Sequence, residues 1–140
     1  MVTSSTLGKM GIMNGSTYAG TKHALHGYFE SIRHEGYEKG ISVTMICPGP
    51  TFSRAAERAF TSSIHQTFDA HHSQEMRRMR TDRCSQLMLS AIVNQLDEVW
   101  ICIQPILLMY YATQYVPTFS RWFIPRFMTR DRVTRLREGK

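Results

Sequence analysis

Tyr18 and Lys22, in the segment TYAGTK at residues 17–22, stand four residues apart, one turn of a helix. Side chains at that spacing share a face, so a phenol and an ammonium can address one point. The chemistry open to such a pair is proton transfer. Tyrosine titrates near a pH of about 10 in water and is a poor base at neutrality. An ammonium held beside a phenol favours the phenolate. Bringing an acid toward the working pH is what general acid–base catalysis requires. The spacing alone leaves a second reading open, an ordinary exposed helix, because a chain with six tyrosines often has a lysine four places after one of them. The surroundings of the pair have to decide.

Ser5 stands thirteen residues before Tyr18, Gly8 and Gly11 follow it, and thirty residues after Tyr18 comes Pro48-Gly49. Several elements must position them. MVTSS (1–5) is short and β-prone, and the glycine-punctuated TLGKMGIMNG reads as a loop. From Ser16, a suitable N-cap, a helix of five or six turns runs until Gly36 and Gly40 end it. Within it Ala19, Leu25, Phe29 and Ile32 alternate with polar residues at helical spacing. ISVTMI (41–46) reads as a buried parallel strand closed by CPGP. Residues 54–60 suit a helical turn or two, and the polar 61–80 a mobile connection. Thr81 or Asp82 then caps a second helix, DRCSQLMLSAIVNQL, and EVWICI (98–103) is a second strand candidate. Helix, strand, helix, strand is the order of βαβ units in a parallel sheet.

The remainder bounds the function. At 140 residues, 42% hydrophobic and 20% charged, the chain suits one globular domain. Its net charge of +6 sits at the end, where residues 121–140 hold seven Lys/Arg against Asp131 and Glu138. The rest is nearly neutral, which argues against a nucleic-acid partner. Cys47, Cys84 and Cys102 lack paired spacing and read as reduced, buried thiols. His71 and His72 have no partner at ligand spacing, so no metal is expected. After Pro105, ILLMYYATQYV and PTFSRWFIPRF are apolar but interrupted, short of the ~20 residues of a spanning helix. Packing on the domain or on a second subunit is one reading, and a membrane-surface helix is the other. Pro105, Pro117 and Pro125 favour packing, since they break the region into short pieces.

The ordered set of strand, Ser5, Gly8 and Gly11, Tyr18-x-x-x-Lys22 on a helix, strand and Pro48-Gly49 resembles the short-chain dehydrogenase/reductase family. That resemblance implies an α/β fold, the C-terminal part of a doubly wound parallel-sheet (Rossmann-like) domain, incomplete. Residues 1–140 would form a partial catalytic and substrate-binding domain, with 104–140 an apolar, then basic, extension. The implied activity interconverts a carbonyl and a secondary alcohol by NAD(P)-linked hydride transfer. Tyr18 would be the acid/base, Lys22 its electrostatic partner and a ligand of the cofactor ribose, and Ser5 a donor to the substrate oxygen. Pro48 and Gly49 would lie along the nicotinamide. Ser53 falls where many relatives carry a Thr that bonds the carboxamide, with Thr51 a less favoured substitute.

The likeness continues through KHALHGYFESIRHE, VTMICPGPTFS, RCSQLMLSAI and DEVWICIQPILLMYYATQYVPTF to a branch of carbonyl, steroid and retinoid reductases. It implies a small lipophilic substrate, NADPH as cofactor and the endoplasmic reticulum membrane as location, with the cytoplasm as the alternative. A homo-oligomer and a membrane surface are the implied larger partners. Only four residues precede Ser5, where the family's cofactor half should stand. The chain is therefore expected to be a fragment without its glycine-rich phosphate loop, its active-site Asn or its anchor, and inactive alone. The alternative is a non-catalytic product that binds a membrane or a full-length subunit through its C-terminal region.

Overall fold

A computed structural model of the chain describes residues 1–13, 15–53, 78–127 and 129. Three parallel strands form an open sheet in the order β1 (Val2–Thr3), β2 (Met45–Pro48) and β3 (Glu98–Ile101). Parallel neighbours need long crossovers, and α1 (Ser16–Glu35) and α2 (Thr81–Val93) lie on the two crossovers. Val2 pairs with Met45, and Cys47 with Trp100. Because side chains alternate along a strand, Met45, Cys47, Glu98 and Trp100 share one face. Cys47 and Glu98 meet His26 of α1 there. Ile46 and Ile101 point the other way and cluster with Met79, Cys84, Leu87 and Met88. Ile46 is fully buried, which is worth about 1.5–3 kcal/mol for such a side chain. Helices on both faces of a parallel sheet make this the doubly wound α/β arrangement that the sequence implies.

Several boundaries differ from expectation, each for a local reason. The second strand occupies Met45–Pro48 rather than 41–46. Arg33 Nη2 donates to Val43 O at 2.9 Å and Asp97 O at 2.8 Å, so a side chain takes carbonyls at the strand entrance. Ser16 is the first helical residue and Gly15 is the N-cap, with no side-chain capping bond. The helix stops at Glu35, and a 3-10 turn (Tyr37–Lys39) ends at Gly40, whose φ of 69° is a left-handed conformation that glycine adopts readily. Thr81 opens α2 rather than capping it, and its hydroxyl donates to Phe52 O. The expected turns at 54–60, and His71 and His72, lie outside the described residues. The end of the expected mobile connection is fixed: Met79 is buried and exchanges backbone bonds with Pro50 and Phe52. Two helices, α3 (Ile106–Tyr115) and α4 (Pro117–Phe127), are the last elements among the described residues. Among the described residues no helix is long and apolar enough to cross a membrane.

Candidate active site

At the end of β1 the chain turns into a 3-10 helix (Thr6–Gly8), with Ser5 as its N-cap. Ser5 Oγ accepts the Leu7 N–H at 3.1 Å and donates to Pro48 O at 3.4 Å. Thr6 Oγ1 donates to the same carbonyl at 3.4 Å, so the carboxyl ends of β1 and β2 are joined at Pro48. Ser5 is only 7% exposed. The turn lies flat against α1, because a Cβ on Gly8 would come within 2.6 Å of Ser4 Oγ and 2.8 Å of His26 Nε2. Ser4 Oγ also donates to Lys22 O at 3.2 Å.

Tyr18 and Lys22 share a face of α1, the ammonium 5.7 Å from the phenol ring centroid. Lys22 Nζ donates to Thr3 O at 3.2 Å, which sets it at the carboxyl end of β1 beside the Ser5 turn. Tyr18 is half exposed. Open α/β sheets bind ligands beyond the carboxyl ends of their strands, and Ser5, the Lys22 ammonium and Pro48-Gly49 all stand at that edge. Gly49 is there for want of space: a Cβ would lie 2.3 Å from Cys102 Sγ. Thr51 Oγ1 is turned inward, donating to Gly49 O at 3.0 Å and reaching Cys84 Sγ at 3.8 Å, whereas Ser53 is exposed.

The structure also assembles polar residues to which local spacing gives no clue. Lys9, in the loop after Ser5, pairs with Glu98 of β3 at 2.8 Å, and the same carboxylate oxygen lies 3.4 Å from His26 Nδ1. His26 Nε2 in turn lies 3.5 Å from Cys47 Sγ. Burial, helped by Lys9, holds the His26 imidazole below its ordinary value of 6.5. Burial alone would push the Glu98 carboxyl up, but hydrogen bonds from Lys9 and Trp100 outweigh it and hold the carboxyl below 4.5. The Cys47 thiol is pushed up to about 12 by burial, with Glu98 adding to the effect. A His, a Cys and a carboxylate within 4.8 Å of one another invite a metal reading. The geometry does not favour a shared ion: His26 turns different nitrogens to Glu98 and Cys47, and Lys9 already neutralises the carboxylate. The group ties the serine loop to α1 and the sheet.

The α3–α4 pair closes the far side of the loop. Tyr110 is buried, which pushes its phenol up, and it hydrogen-bonds Thr6. Gln114 Nε2 donates to Lys9 O at 2.6 Å. Between these elements is a cleft of about 430 Å³ lined by Lys9, Gly11, His23, Gln114, Arg121 and Ile124 among others.

A three-strand parallel sheet whose carboxyl edge carries Ser5, the ammonium of Tyr18-x-x-x-Lys22 and Pro48-Gly49 presents one family's sequence pattern at the edge where such sheets bind ligands. Residues 1–64 match the family described as short chain dehydrogenase. The chain belongs to the short-chain dehydrogenase/reductase family. It is 37% identical over 136 residues to human "Dehydrogenase/reductase SDR family member 7", covering 96% of this chain and 40% of that protein. The mouse protein of the same name is 37% identical over 119 residues, 84% of this chain and 35% of its own length. A Streptomyces virginiae "Monensin polyketide synthase putative ketoacyl reductase" is 35% identical over 54 residues, 39% of this chain and 21% of its own. The chain thus spans well under half the length of these relatives.

Proposed function

We propose that residues 1–140 supply the acid/base and substrate-binding half of an NADPH-linked reductase acting on a lipophilic carbonyl, of the steroid or retinoid type, at the endoplasmic reticulum membrane. The observation that carries the reading is the Lys22 ammonium held at the carboxyl end of β1, 5.7 Å from the Tyr18 ring and beside the Ser5 turn. Tyr18, half exposed, protonates the carbonyl oxygen as it becomes an alcohol. Lys22 stabilises the phenolate left behind. Ser5, by exchanging its long bond to Pro48 O for one to the substrate, stabilises charge growing on that oxygen.

The residues present fit a nicotinamide cofactor by their donor chemistry. Lys22 directs one N–H to Thr3 O, and an ammonium has three, which leaves donors for ribose hydroxyls. The cofactor supplies the hydride. Pro48 and Gly49 would flank its nicotinamide, and Ser53, exposed on the segment that follows, would hold the carboxamide. A second subunit or a membrane surface would cover the exposed apolar residues of α3 and α4. Lys22→Met tests the pairing. In a protein where residues 1–140 follow the segment of the human relative that precedes its match, it should weaken NADPH affinity and turnover together, because one ammonium serves both tasks. Loss of turnover with unchanged cofactor affinity would refute the ribose role.

A further inference from the structure

The cleft between the serine loop and the α3–α4 pair lies apart from the proton-transfer residues. Its lining includes none of Ser5, Tyr18 and Lys22. His23, which does line it, stands five residues after Tyr18, about 140° further around α1. The cleft therefore opens on a different flank of the helix from the phenol. Its volume of about 430 Å³ is near the lower end of the roughly 300–1,000 Å³ of small-molecule sites, so its occupant is a compact compound.

The lining side chains decide the chemistry of that compound. Most of the polar ones are already engaged within the protein. Lys9 pairs with Glu98, Thr113 Oγ1 donates to Tyr110 O at 2.7 Å, and Ser120 Oγ donates to Pro117 O at 3.0 Å. Gln114 Nε2 donates to Lys9 O, and His23 Nδ1 lies 2.8 Å from Ala19 O. Arg121 differs from all of these. Among the described residues its guanidinium has no ion pair and no hydrogen bond. Arg126 on the same helix is engaged, lying 4.2 Å from the Trp122 ring and donating to Trp122 O at 2.9 Å. Among the described residues no Asp or Glu lines the cleft, and residues 99–130 contain none. Met10, Ile124 and Pro125 supply apolar wall. A cation without a counter-charge beside apolar walls suits a monoanion with an apolar body. The guanidinium fork matches a carboxylate, both of whose oxygens it can bond. A dianionic phosphate would bring a second charge that Lys9, neutralised by Glu98, does not balance.

We propose that this cleft binds a small organic carboxylate, with its apolar body against Met10, Ile124 and Pro125 and its carboxylate on Arg121. The inference is independent of the catalytic reading. The test is calorimetric titration of the 140-residue chain with hexanoate, 1-hexanol and inorganic phosphate. Hexanoate should fill one site with a Kd no weaker than about 1 mM. Hexanol, which keeps the chain and lacks the charge, should bind at least about tenfold more weakly, the loss expected for a hydrogen bond between charged groups. Arg121→Gln should weaken hexanoate by the same factor and leave hexanol unchanged. Arg126→Gln removes an equal charge outside the cleft and should leave hexanoate affinity as it was. Circular dichroism melts of Arg121→Gln should match the parent, because the side chain has no partner to lose. Absence of hexanoate binding, or equal affinities for hexanoate and hexanol, would overturn the proposal. So would a loss on Arg126→Gln as large as on Arg121→Gln, which would reduce the effect to net charge. Phosphate binding as tight as that of hexanoate would overturn the carboxylate assignment.

Discussion

Replacing Gly49 by alanine places a methyl group where Cys102 already stands. The added Cβ would lie 2.3 Å from Cys102 Sγ and 2.9 Å from Cys102 Cβ, against about 3.5–4.0 Å for relaxed carbon contacts. Neither partner has an easy way out. The Gly49 N–H is held by Ile101 O at 2.9 Å, and Cys102 is buried. Overpacking of this kind costs about 1–3 kcal/mol, or roughly 3–10 °C in melting temperature for a chain of this size. Urea and thermal melts of Gly49→Ala, Cys102→Ala and the double variant measure it. Cys102→Ala removes the sulfur but keeps the Cβ, so the double variant should recover only part of the loss. The two changes together should cost less than their sum by about 0.5–2 kcal/mol. A Gly49→Ala protein that melts like the parent, or strict additivity, would refute the steric reasoning.

Ser5→Ala should lower stability by about 0.5–2 kcal/mol through loss of the bond from Leu7 N–H, and in the active enzyme it should reduce kcat more than it raises KM. A stability equal to the parent in chemical denaturation would contradict the capping role. Acid should destabilise the fold through His26, which faces Lys9, Glu98, His23 and Glu30 and titrates below 6.5 when folded. The unfolded chain takes up that proton first, so the stabilisation is full above about 6.5 and falls as pH drops toward the folded value. Glu98 adds a loss at lower pH, where its depressed carboxyl protonates. Unfolding midpoints that do not fall between about pH 7 and pH 5 would contradict this account.

What the sequence made legible was local. Tyr18 and Lys22 meet because four residues on a helix always bring side chains together, whatever the rest of the chain does. Met45 and Ile46 could be seen as strand because they end an apolar, β-branched run, whereas Cys47 and Pro48, which continue it, read as part of the closing CPGP turn. The start of the strand could not be seen, because the side chain that takes Val43 O belongs to Arg33 on the preceding helix. The Lys9–Glu98–His26 group joins a loop, a helix and the last strand, and no spacing encodes such a contact. Gly49 reads in sequence as a turn residue, yet its constraint is a sulfur from the neighbouring chain segment. Phe119, Trp122 and Phe123 form a visible stripe, but which side of α4 faces solvent depends on where Ser120 is buried.

The central claim is that Tyr18 moves the proton. The direct measurement is single-turnover hydride transfer from NADPH to a carbonyl compound, followed by nicotinamide absorbance. It would be made in a protein where residues 1–140 follow the segment of the human relative that precedes its match. Tyr18→Phe keeps the ring and removes only the hydroxyl, so the rate should fall by about 10²–10⁴-fold while the melting temperature holds. An undiminished rate in the Tyr18→Phe protein would contradict the account.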